Sequence, residues 1–243
     1  MKTLENNATD AFNAVRNDSL SEQVFAQLTR TILCGGFAPN DRINLRNIAR
    51  DYEVSVTPVR EAVLRLVSDG ILQTTERNAI IVPQRFEEDI QEIFRIRRTL
   101  EGELAEAACL KLTPTDVAAL NETQASFVAA LEKENYREAL RLNADLHFRI
   151  YSAAQMPIYL KIVESLWLRI GPTLRNMYPI LNQGRTDHSP HELILSSATN
   201  GDAAGLRSAI IADLTRSEQA LTEYLRRVNE AQALIAMPHR GYR

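Results

Sequence analysis

The spacing of apolar residues predicts helices over most of the chain and extended structure in one short region. Apolar residues recur every three or four positions from residue 19 to about residue 70 and again from residue 87 to about residue 227, which is the period of one helix face. Between these stretches, residues 71–74 and 79–82 flank a polar tip and predict a β-hairpin. We therefore expect a mostly α protein, in which three helices and a hairpin precede an all-α bundle of about six or seven helices.

Start and stop signals place the first three helices. Ser19 opens the capping-box pattern Ser-Leu-Ser-Glu, and a Gly-Gly pair that begins at Gly35 ends the helix. A second helix is predicted over residues 45–52. The third is predicted to begin with Thr57 as its N-cap and Pro58 in its first helical position.

Helix-breaking residue pairs divide the second half of the chain into separate helices. The predicted breaks are Thr113-Pro114, Met156-Pro157, Gly171-Pro172, the segment from Asn182 to Pro190, and Asn200-Gly201. Together these signals predict four segments along the chain. They are a loose N-terminal arm over residues 1–18, a first domain over residues 19–83, an all-α domain over residues 84–228, and a C-terminal tail over residues 229–243.

Composition and charge narrow the class of protein. The 243 residues are 45% hydrophobic and 24% charged, which is typical of a globular protein and argues against disorder. No apolar run approaches the roughly 20 residues that span a bilayer, and the polar N-terminus does not resemble a signal peptide, so we expect a cytoplasmic protein. The two cysteines, Cys34 and Cys109, lack CxxC spacing and are expected to be small buried residues. Because the net charge is −3, any affinity for DNA must come from a local basic surface.

Three helices followed by a hairpin form the plan of a winged helix-turn-helix. In this plan the third helix packs its apolar side on the first two and presents its other side to the major groove. Arg60 lies one turn into that helix, where a guanidinium can reach the O6 and N7 of guanine. The residues expected to contact DNA are Arg46, Ser55, Thr57, Arg60, Arg77 and Asn78. The alternative is that they form an ordinary solvated surface.

Four polar side chains fall on apolar stripes of the predicted bundle. They are Asn143, His147, His191 and Asp213. Burying such groups costs a few kcal/mol unless they are paired or bind something, and converging polar residues are how helical bundles build metal or ligand sites. The alternatives are a polar core satisfied within the protein and a helical metalloenzyme with His147, His191 and Asp213 as ligands.

Two stretches resemble known bacterial families. The segment that runs through Gly36-Phe37-Ala38-Pro39, Ile48-Ala49, Val54-Ser55-Val56-Thr57-Pro58-Val59-Arg60-Glu61-Ala62-Val63 and Gly70-Ile71-Leu72 resembles the GntR family of repressors. The helical half, which opens with Ile96-Arg97-Arg98-Thr99-Leu100-Glu101, is similar to the FCD effector domain of the FadR subfamily. By this resemblance Arg46, Thr57 and Arg60 are DNA contacts. Val56 stands where the family usually has arginine, so an apolar contact to a thymine methyl is expected there instead.

The FCD resemblance implies a function for the polar residues of the bundle. Asn143 and His147 match the family's first pair of metal ligands, His191 matches a later histidine, and Asp213 stands where a last histidine is usual. Such a set could hold Zn²⁺, Mn²⁺ or Ni²⁺ with open positions for a carboxylate, or it could have lost the metal and bind a ligand directly. Arg97 matches a recurrent arginine of the family and is a candidate effector contact. Further candidates flank the predicted Gly171-Pro172 break, namely Arg169, Arg175 and Tyr178. For all four residues the alternative is a structural salt bridge.

These observations predict a transcriptional regulator. We expect a homodimeric repressor that binds a double-stranded DNA operator and responds to a small organic acid in the helical domain. A metalloenzyme leaves the winged motif unexplained and offers no positioned nucleophile or general base beside the polar cluster. An architectural DNA-binding protein without a ligand leaves the polar cluster unexplained.

Overall fold

The computed structural model describes residues 19–175 and 189–236, with side chains over 19–175 and 190–230. These ranges contain nine helices and one two-stranded hairpin. In chain order they are α1 (Leu20–Leu33), α2 (Leu45–Asp51), α3 (Val56–Ser68), β1 (Gln73–Thr74), β2 (Ile80–Ile81), α4 (Glu87–Cys109), α5 (Pro114–Glu132), α6 (Tyr136–Ala153), α7 (Pro157–Leu174), α8 (Ser189–Asn200) and α9 (Ala203–Ala236). The mostly α fold predicted from the sequence is confirmed.

The first three helices and the hairpin form one unit, which we call the head. Ser19 caps α1, since its side chain accepts a hydrogen bond from the backbone N–H of Glu22. Gly70, at φ +67°, ends the helical segment in the left-handed conformation that glycine adopts readily. The apolar faces of the three helices meet in a core of buried side chains, among them Val24, Leu28, Ile32, Ile48, Val59, Val63 and Leu66. This packing leaves the opposite side of α3 exposed.

The start of α3 differs from the prediction. The helix begins at Val56 with Ser55 as its N-cap, so Thr57 lies inside the first turn and is not the cap. Pro58 is tolerated there because the first four N–H groups of a helix have no partner within the helix. The proline therefore marks the first turn of a helix without fixing its first residue.

The hairpin is shorter than predicted. Thr74 pairs with Ile80 and Gln73 pairs with Ile81 in antiparallel register. The flanking apolar residues, Leu72 and Val82, are buried in the core of the head instead of extending the paired strands. At the tip Asn78 has φ 56°, which asparagine tolerates better than most residues.

Helices α4 to α9 form the bundle, in which α9 packs along α4 and α8. The predicted break at Gly171-Pro172 is wrong, because α7 continues through Pro172 to Leu174. A proline so close to the end of a helix removes one hydrogen bond of the last turn, and the buried packing of residues 171–174 offsets that loss. At the other end of the bundle α9 continues to Ala236, so it extends into the segment predicted as a tail.

Two further features of the described residues concern the cysteines and the helix lengths. Cys34 and Cys109 are buried free thiols, as expected. None of the helices in the described ranges has the length and apolar character required to cross a membrane.

Candidate functional site

Three of the four predicted ligand residues meet inside the bundle. His147 on α6, His191 on α8 and Asp213 on α9 each offer a ligand atom, and these atoms all lie within 4.8 Å of one another. The Nε2 atom of His147 lies 3.4 Å from Asp213 Oδ2, and that of His191 lies 3.9 Å from Asp213 Oδ1. Both imidazoles are buried, and the carboxylate side chain is 15% exposed. Residues from three helices thus face one another across a small space that is nearly closed to solvent.

A chain of hydrogen bonds orients His147. Its Nδ1 atom lies 2.9 Å from the hydroxyl of Tyr151, and that hydroxyl donates to Glu101 Oε2 at 2.6 Å. Because the tyrosine proton is directed to Glu101, the hydroxyl oxygen accepts the Nδ1–H of His147. Burial and the nearby Glu101 carboxylate raise the pKa of Tyr151, so the phenol keeps its proton. His147 therefore carries its proton on Nδ1 and directs the lone pair of Nε2 toward Asp213.

His191 is oriented in the same way. Its Nδ1 atom lies 2.7 Å from Gln124 Oε1 on α5. An amide oxygen accepts a hydrogen bond, so the ring donates from Nδ1 and directs Nε2 toward Asp213. Phe127 packs beside the ring, with centroids 4.9 Å apart. Each imidazole is thus fixed by a hydrogen bond at Nδ1 and directs Nε2 toward Asp213.

This donor set fits a cation. Two nitrogen lone pairs and a carboxylate that face one another repel unless a proton or a metal ion lies among them. The buried Nε2 atom of His147 finds no hydrogen-bond partner within the described part of the chain. Burial raises the pKa of Asp213, but a hydrogen bond from a protonated His147 and the positive charges of His191, His147 and Arg97 outweigh it and lower that pKa to about 2. The carboxylate is therefore charged when positive charge, carried by protons or by a metal ion, lies among these groups. Imidazole and carboxylate ligands, with the second imidazole nitrogen bonded to a fixed acceptor, are typical of divalent metal sites.

The remaining predicted ligand, Asn143, is half-buried on α6 one turn before His147. Its position agrees with the stripe on which it was predicted, and its role as a ligand stays a prediction.

Arg97 lies beside this cluster but is engaged by another residue. Its Nε donates to Glu101 Oε1 at 2.5 Å, and the two side chains are 2% and 0% exposed. The guanidinium also stacks on Trp167, 4.3 Å from the ring centroid. Arg97 thus forms a buried salt bridge with Glu101, which is the alternative to effector binding that the sequence left open.

Two of the other candidate effector residues, Arg169 and Arg175, are not in the bundle interior. Arg169 donates to the backbone carbonyls of Asp69, at 2.7 Å, and Gly70, at 3.4 Å, both of which follow α3. Arg175 lies 3.5 Å from the carbonyl oxygen of Gly35, at the end of α1. Both arginines bridge the bundle to the head, because α7 runs from the cluster of His147, His191 and Asp213 to the boundary between the two units. Tyr178 lies outside the described residues.

Helix α7 connects the cluster to the head. Trp167 Nε1 donates to Glu101 at 3.1 Å, and its ring lies 5.3 Å from that of His147. The next residue, Leu168, is buried in the core of the head. Further along α7, Gly171 packs so closely on α1 that a Cβ atom there would lie 2.8 Å from the carbonyl oxygen of Ile32. The helix therefore touches both units within a few residues.

Most of the predicted DNA contacts are exposed on one unit of the molecule. Arg46 lies on α2, Arg60 lies on α3, and Arg77 lies at the hairpin tip. Ser55, Thr57 and Asn78 are exposed beside them. Val56 is half-buried and packs against the core of the head, and its contact to a thymine methyl stays a prediction. An apolar side chain at the first position of α3 gains more from this packing than from exposure.

Several residues of the site were not predicted from the sequence. Glu101, Gln124, Tyr151 and Trp167 orient the two histidines and Arg97. Glu101 and Tyr151 could have been found from the sequence. Each lies four residues after its partner, Arg97 or His147, and this spacing places two side chains together on a helix. Gln124 carries no such signal, because its partner His191 lies on another helix.

Comparison with known proteins identifies two families along the chain. Residues 20–82 match the family described as bacterial regulatory proteins, gntR family, and residues 92–216 match the FCD domain. The HTH-type transcriptional regulator McbR of Escherichia coli is 33% identical over 198 residues, which cover 81% of this chain and 90% of that protein. The Nta operon transcriptional regulator of Aminobacter aminovorans is 30% identical over 137 residues, which cover 55% of this chain and 63% of that protein.

Solved structures agree with these matches. Escherichia coli McbR/YncC superposes with a TM-score of 0.79 at 31% identity, covering 85% of this chain and 98% of that chain. A regulator from a Rhodococcus species superposes with a TM-score of 0.57 at 21% identity, covering 90% of this chain and 99% of that chain, and supports the fold alone. The likeness to McbR extends over both the head and the bundle.

Proposed function

Because this chain belongs to the gntR family of bacterial regulatory proteins and carries an FCD domain, we propose that a divalent metal ion and a small carboxylate, bound inside the bundle, control its binding to operator DNA. The chain is a DNA-binding transcriptional regulator with an effector domain. Its relatives are regulators and not enzymes, so the metalloenzyme alternative is wrong. We place this function in the cytoplasm, where a bacterial regulator meets its operator.

The observation that carries the metal proposal is the unpaired Nε2 atom of His147. Leaving a buried polar atom unpaired costs about 1–3 kcal/mol, and this atom faces the Asp213 carboxylate and the Nε2 atom of His191. A divalent ion held by these residues, with Asn143 as a fourth candidate, would supply open coordination positions for an effector carboxylate. Zn²⁺, Mn²⁺ and Ni²⁺ all accept this ligand set.

Side chains of the bundle connect the proposed metal site to the head. Tyr151 and Gln124 hold the two imidazoles with Nε2 directed inward. Glu101 accepts from Tyr151, Arg97 and Trp167, so it joins the orientation of His147 to the position of α7. Through Leu168 and Arg169, α7 then contacts the core of the head and the end of α3. A ligand that favours one placement of α7 would thus favour one placement of the head.

We assign DNA reading to the exposed side of the head. Arg60 is the proposed base contact from α3, and Thr57 and Ser55 at the start of that helix are suited to phosphate. Arg46 on α2 and Arg77 and Asn78 at the hairpin tip extend this surface. One head covers only a short half-site, so we propose a homodimer on a palindromic operator, acting as a repressor.

Metal content tests the effector site directly. The untagged full-length protein is dialysed against chelator, reloaded with a mixture of divalent ions, desalted and analysed for bound elements. We expect about one ion per chain, and its loss in the variants His147→Ala and Asp213→Asn. The matched control is Glu192→Gln, which removes an exposed carboxylate next to His191 and should keep the ion.

The alternative outcome is equally specific. A protein that folds and binds DNA, but retains no ion after reloading, contradicts the metal proposal and favours a ligand held directly by the polar cluster. Size-exclusion chromatography with light scattering tests the homodimer, and a monomer at micromolar concentration would contradict it.

A further inference from the structure

A second cavity lies between the head and the bundle. Its volume is about 1200 Å³, and its walls come from α1, the end of α3, the segment before α4, and helices α4, α6 and α7. Ligand pockets in proteins commonly have volumes of roughly 300–1,000 Å³, so a drug-sized molecule fits here. None of His147, His191 and Asp213 lines it. This cavity is therefore separate from the proposed metal site.

Two residues that line this cavity carry a buried polar atom without a hydrogen-bond partner. Within the part of the chain that the structure describes, buried side-chain atoms without a hydrogen-bond partner are Thr29 Oγ1, Arg85 Nε and His147 Nε2. His147 belongs to the metal-ligand cluster, and both of the others are on residues that line the cavity. Arg85 Nε can only donate, and the Thr29 hydroxyl can donate as well. These unpaired donors lie behind the cavity wall, and a ligand with acceptor oxygens would complement them once the side chains turn toward it.

Two guanidinium groups lie close together at one end of the cavity. Arg85 Nη2 and Arg169 Nη1 both approach the carbonyl oxygen of Gly70, at 3.1 and 3.4 Å. Burial and the neighbouring Arg169 charge lower the pKa of Arg85, and Asp89 compensates only in part. Two like charges that share one neutral acceptor are stabilised by an anion, which both guanidinium groups can bind through short charge-assisted hydrogen bonds.

The rest of the cavity has apolar walls that reach the surface. Phe25, Leu33 and Ile93 contribute to it. At its edge Ile158 and Ile162 leave 75% and 44% of their surface exposed. Exposed large apolar side chains beside a cavity are typical of a binding site.

We propose that this interdomain cavity binds an amphipathic organic anion. The acid group lies against Arg85 and Arg169, and the apolar body lies along the isoleucines of α7. Because Arg85 precedes α4 and Arg169 contacts the end of α3, the ligand bridges the head and the bundle. It is a second input to the same regulator, and it does not depend on the metal site.

Fluorescence titration with 8-anilinonaphthalene-1-sulfonate, an amphipathic anion, tests the proposal on the full-length protein. We expect saturable binding of one probe per chain. Arg85→Met should weaken it about tenfold or more, the value of one charge-assisted hydrogen bond. Ile162→Asp, at a half-exposed position that tolerates the change, should weaken it through charge repulsion. The matched controls are Arg149→Met and Leu110→Asp, both exposed and outside the cavity.

Competition identifies the chemistry of the ligand. Octanoate should displace the probe, while 1-octanol at the same concentration should not, since it lacks the acid group. Unchanged binding in both Arg85→Met and Ile162→Asp, or equal displacement by the alcohol, would overturn the proposal. Loss of probe binding in His147→Ala would also overturn it, because the probe would then occupy the metal-ligand cluster. Metal content is measured separately, so failure here leaves the metal proposal standing.

Discussion

Trp167 and Leu168 are consecutive residues of α7, yet they pack into different hydrophobic cores. Trp167 is buried in the bundle, where it donates to Glu101 and lies against His147. Leu168 is buried in the head among side chains of α1 and α3. Adjacent side chains of a helix point about 100° apart, so one helix can contribute to both cores. A shift of α7 therefore affects both units at once.

Leu168 should contribute strongly to the stability of this junction. Leu168→Ala removes buried apolar atoms from the core of the head and should lower the free energy of unfolding by about 2–4 kcal/mol. Urea denaturation followed by far-UV circular dichroism measures the change. The control Leu110→Ala alters a side chain that is 79% exposed, and it should shift the free energy by less than about 0.5 kcal/mol. An equal effect of the two changes would contradict the packing of Leu168 in the head.

Arg169→Met should separate the two functions of the protein. The variant keeps both cores but loses the hydrogen bonds to the carbonyls that follow α3. Coupling between sites commonly amounts to about 5–150-fold in affinity, so we expect operator affinity to differ by such a factor between the metal-free and metal-loaded wild type. In Arg169→Met the ratio should fall to within about twofold.

Fluorescence anisotropy with labelled operator DNA measures this ratio. The control is Arg207→Met, since Arg207 pairs with Glu106 on the surface of the bundle and should leave the ratio unchanged. A variant at Arg169 that responds to metal like the wild type would place the coupling elsewhere.

The head could be predicted from its sequence because its signals are local. Ser19 caps α1 as expected, and the three helices and the hairpin occur in the predicted order. The errors also have local causes. Pro58 is compatible with any position of a first turn, and Pro172 signals a break that the buried end of α7 overrides.

The site could be predicted only in part. His147, His191 and Asp213 are polar residues on apolar stripes, so periodicity alone identifies them as candidates that face inward. Their orientation depends on Gln124 and Glu101, which are distant in sequence from the histidines they serve. Arg169 and Arg175 contact the head, and the sequence did not predict this placement, because no pattern in a sequence gives the direction in which a helix leaves the bundle.

Tyr151→Phe tests the orientation of His147. The variant keeps the aromatic ring and removes the acceptor of the His147 Nδ1 proton. Loss of such a partner typically lowers metal affinity about 10- to 100-fold, and competition with a colorimetric chelator measures it. Tyr159→Phe makes the same chemical change outside the cluster and should bind metal as the wild type does. If both variants retain full affinity, the hydrogen-bond chain does not hold the imidazole.

Arg60→Ala tests the DNA-reading surface. Loss of a bidentate contact to guanine costs about 1–3 kcal/mol, or roughly 5- to 150-fold in operator affinity. The operator is first defined by selection from random duplex DNA, and anisotropy then compares it with scrambled DNA. We expect the preference for operator to decline while binding to scrambled DNA changes less. Arg207→Ala, in the bundle, should match the wild type, and an Arg60→Ala protein with full preference would mean that α3 reads DNA through other residues.

Glu101→Gln tests how the buried charges of the bundle are balanced. The carboxylate accepts from Arg97, Tyr151 and Trp167, and it is fully buried. Replacing it with a neutral amide leaves the Arg97 charge uncompensated in the interior, which should cost about 3–5 kcal/mol of unfolding free energy. Glu106→Gln breaks an ion pair in which both side chains are more than a third exposed, so it should cost at most about 1 kcal/mol. Urea denaturation compares the two variants. A similar, small loss in both would mean that Arg97 reaches solvent or another carboxylate, and that Glu101 is not what fixes the centre of the bundle.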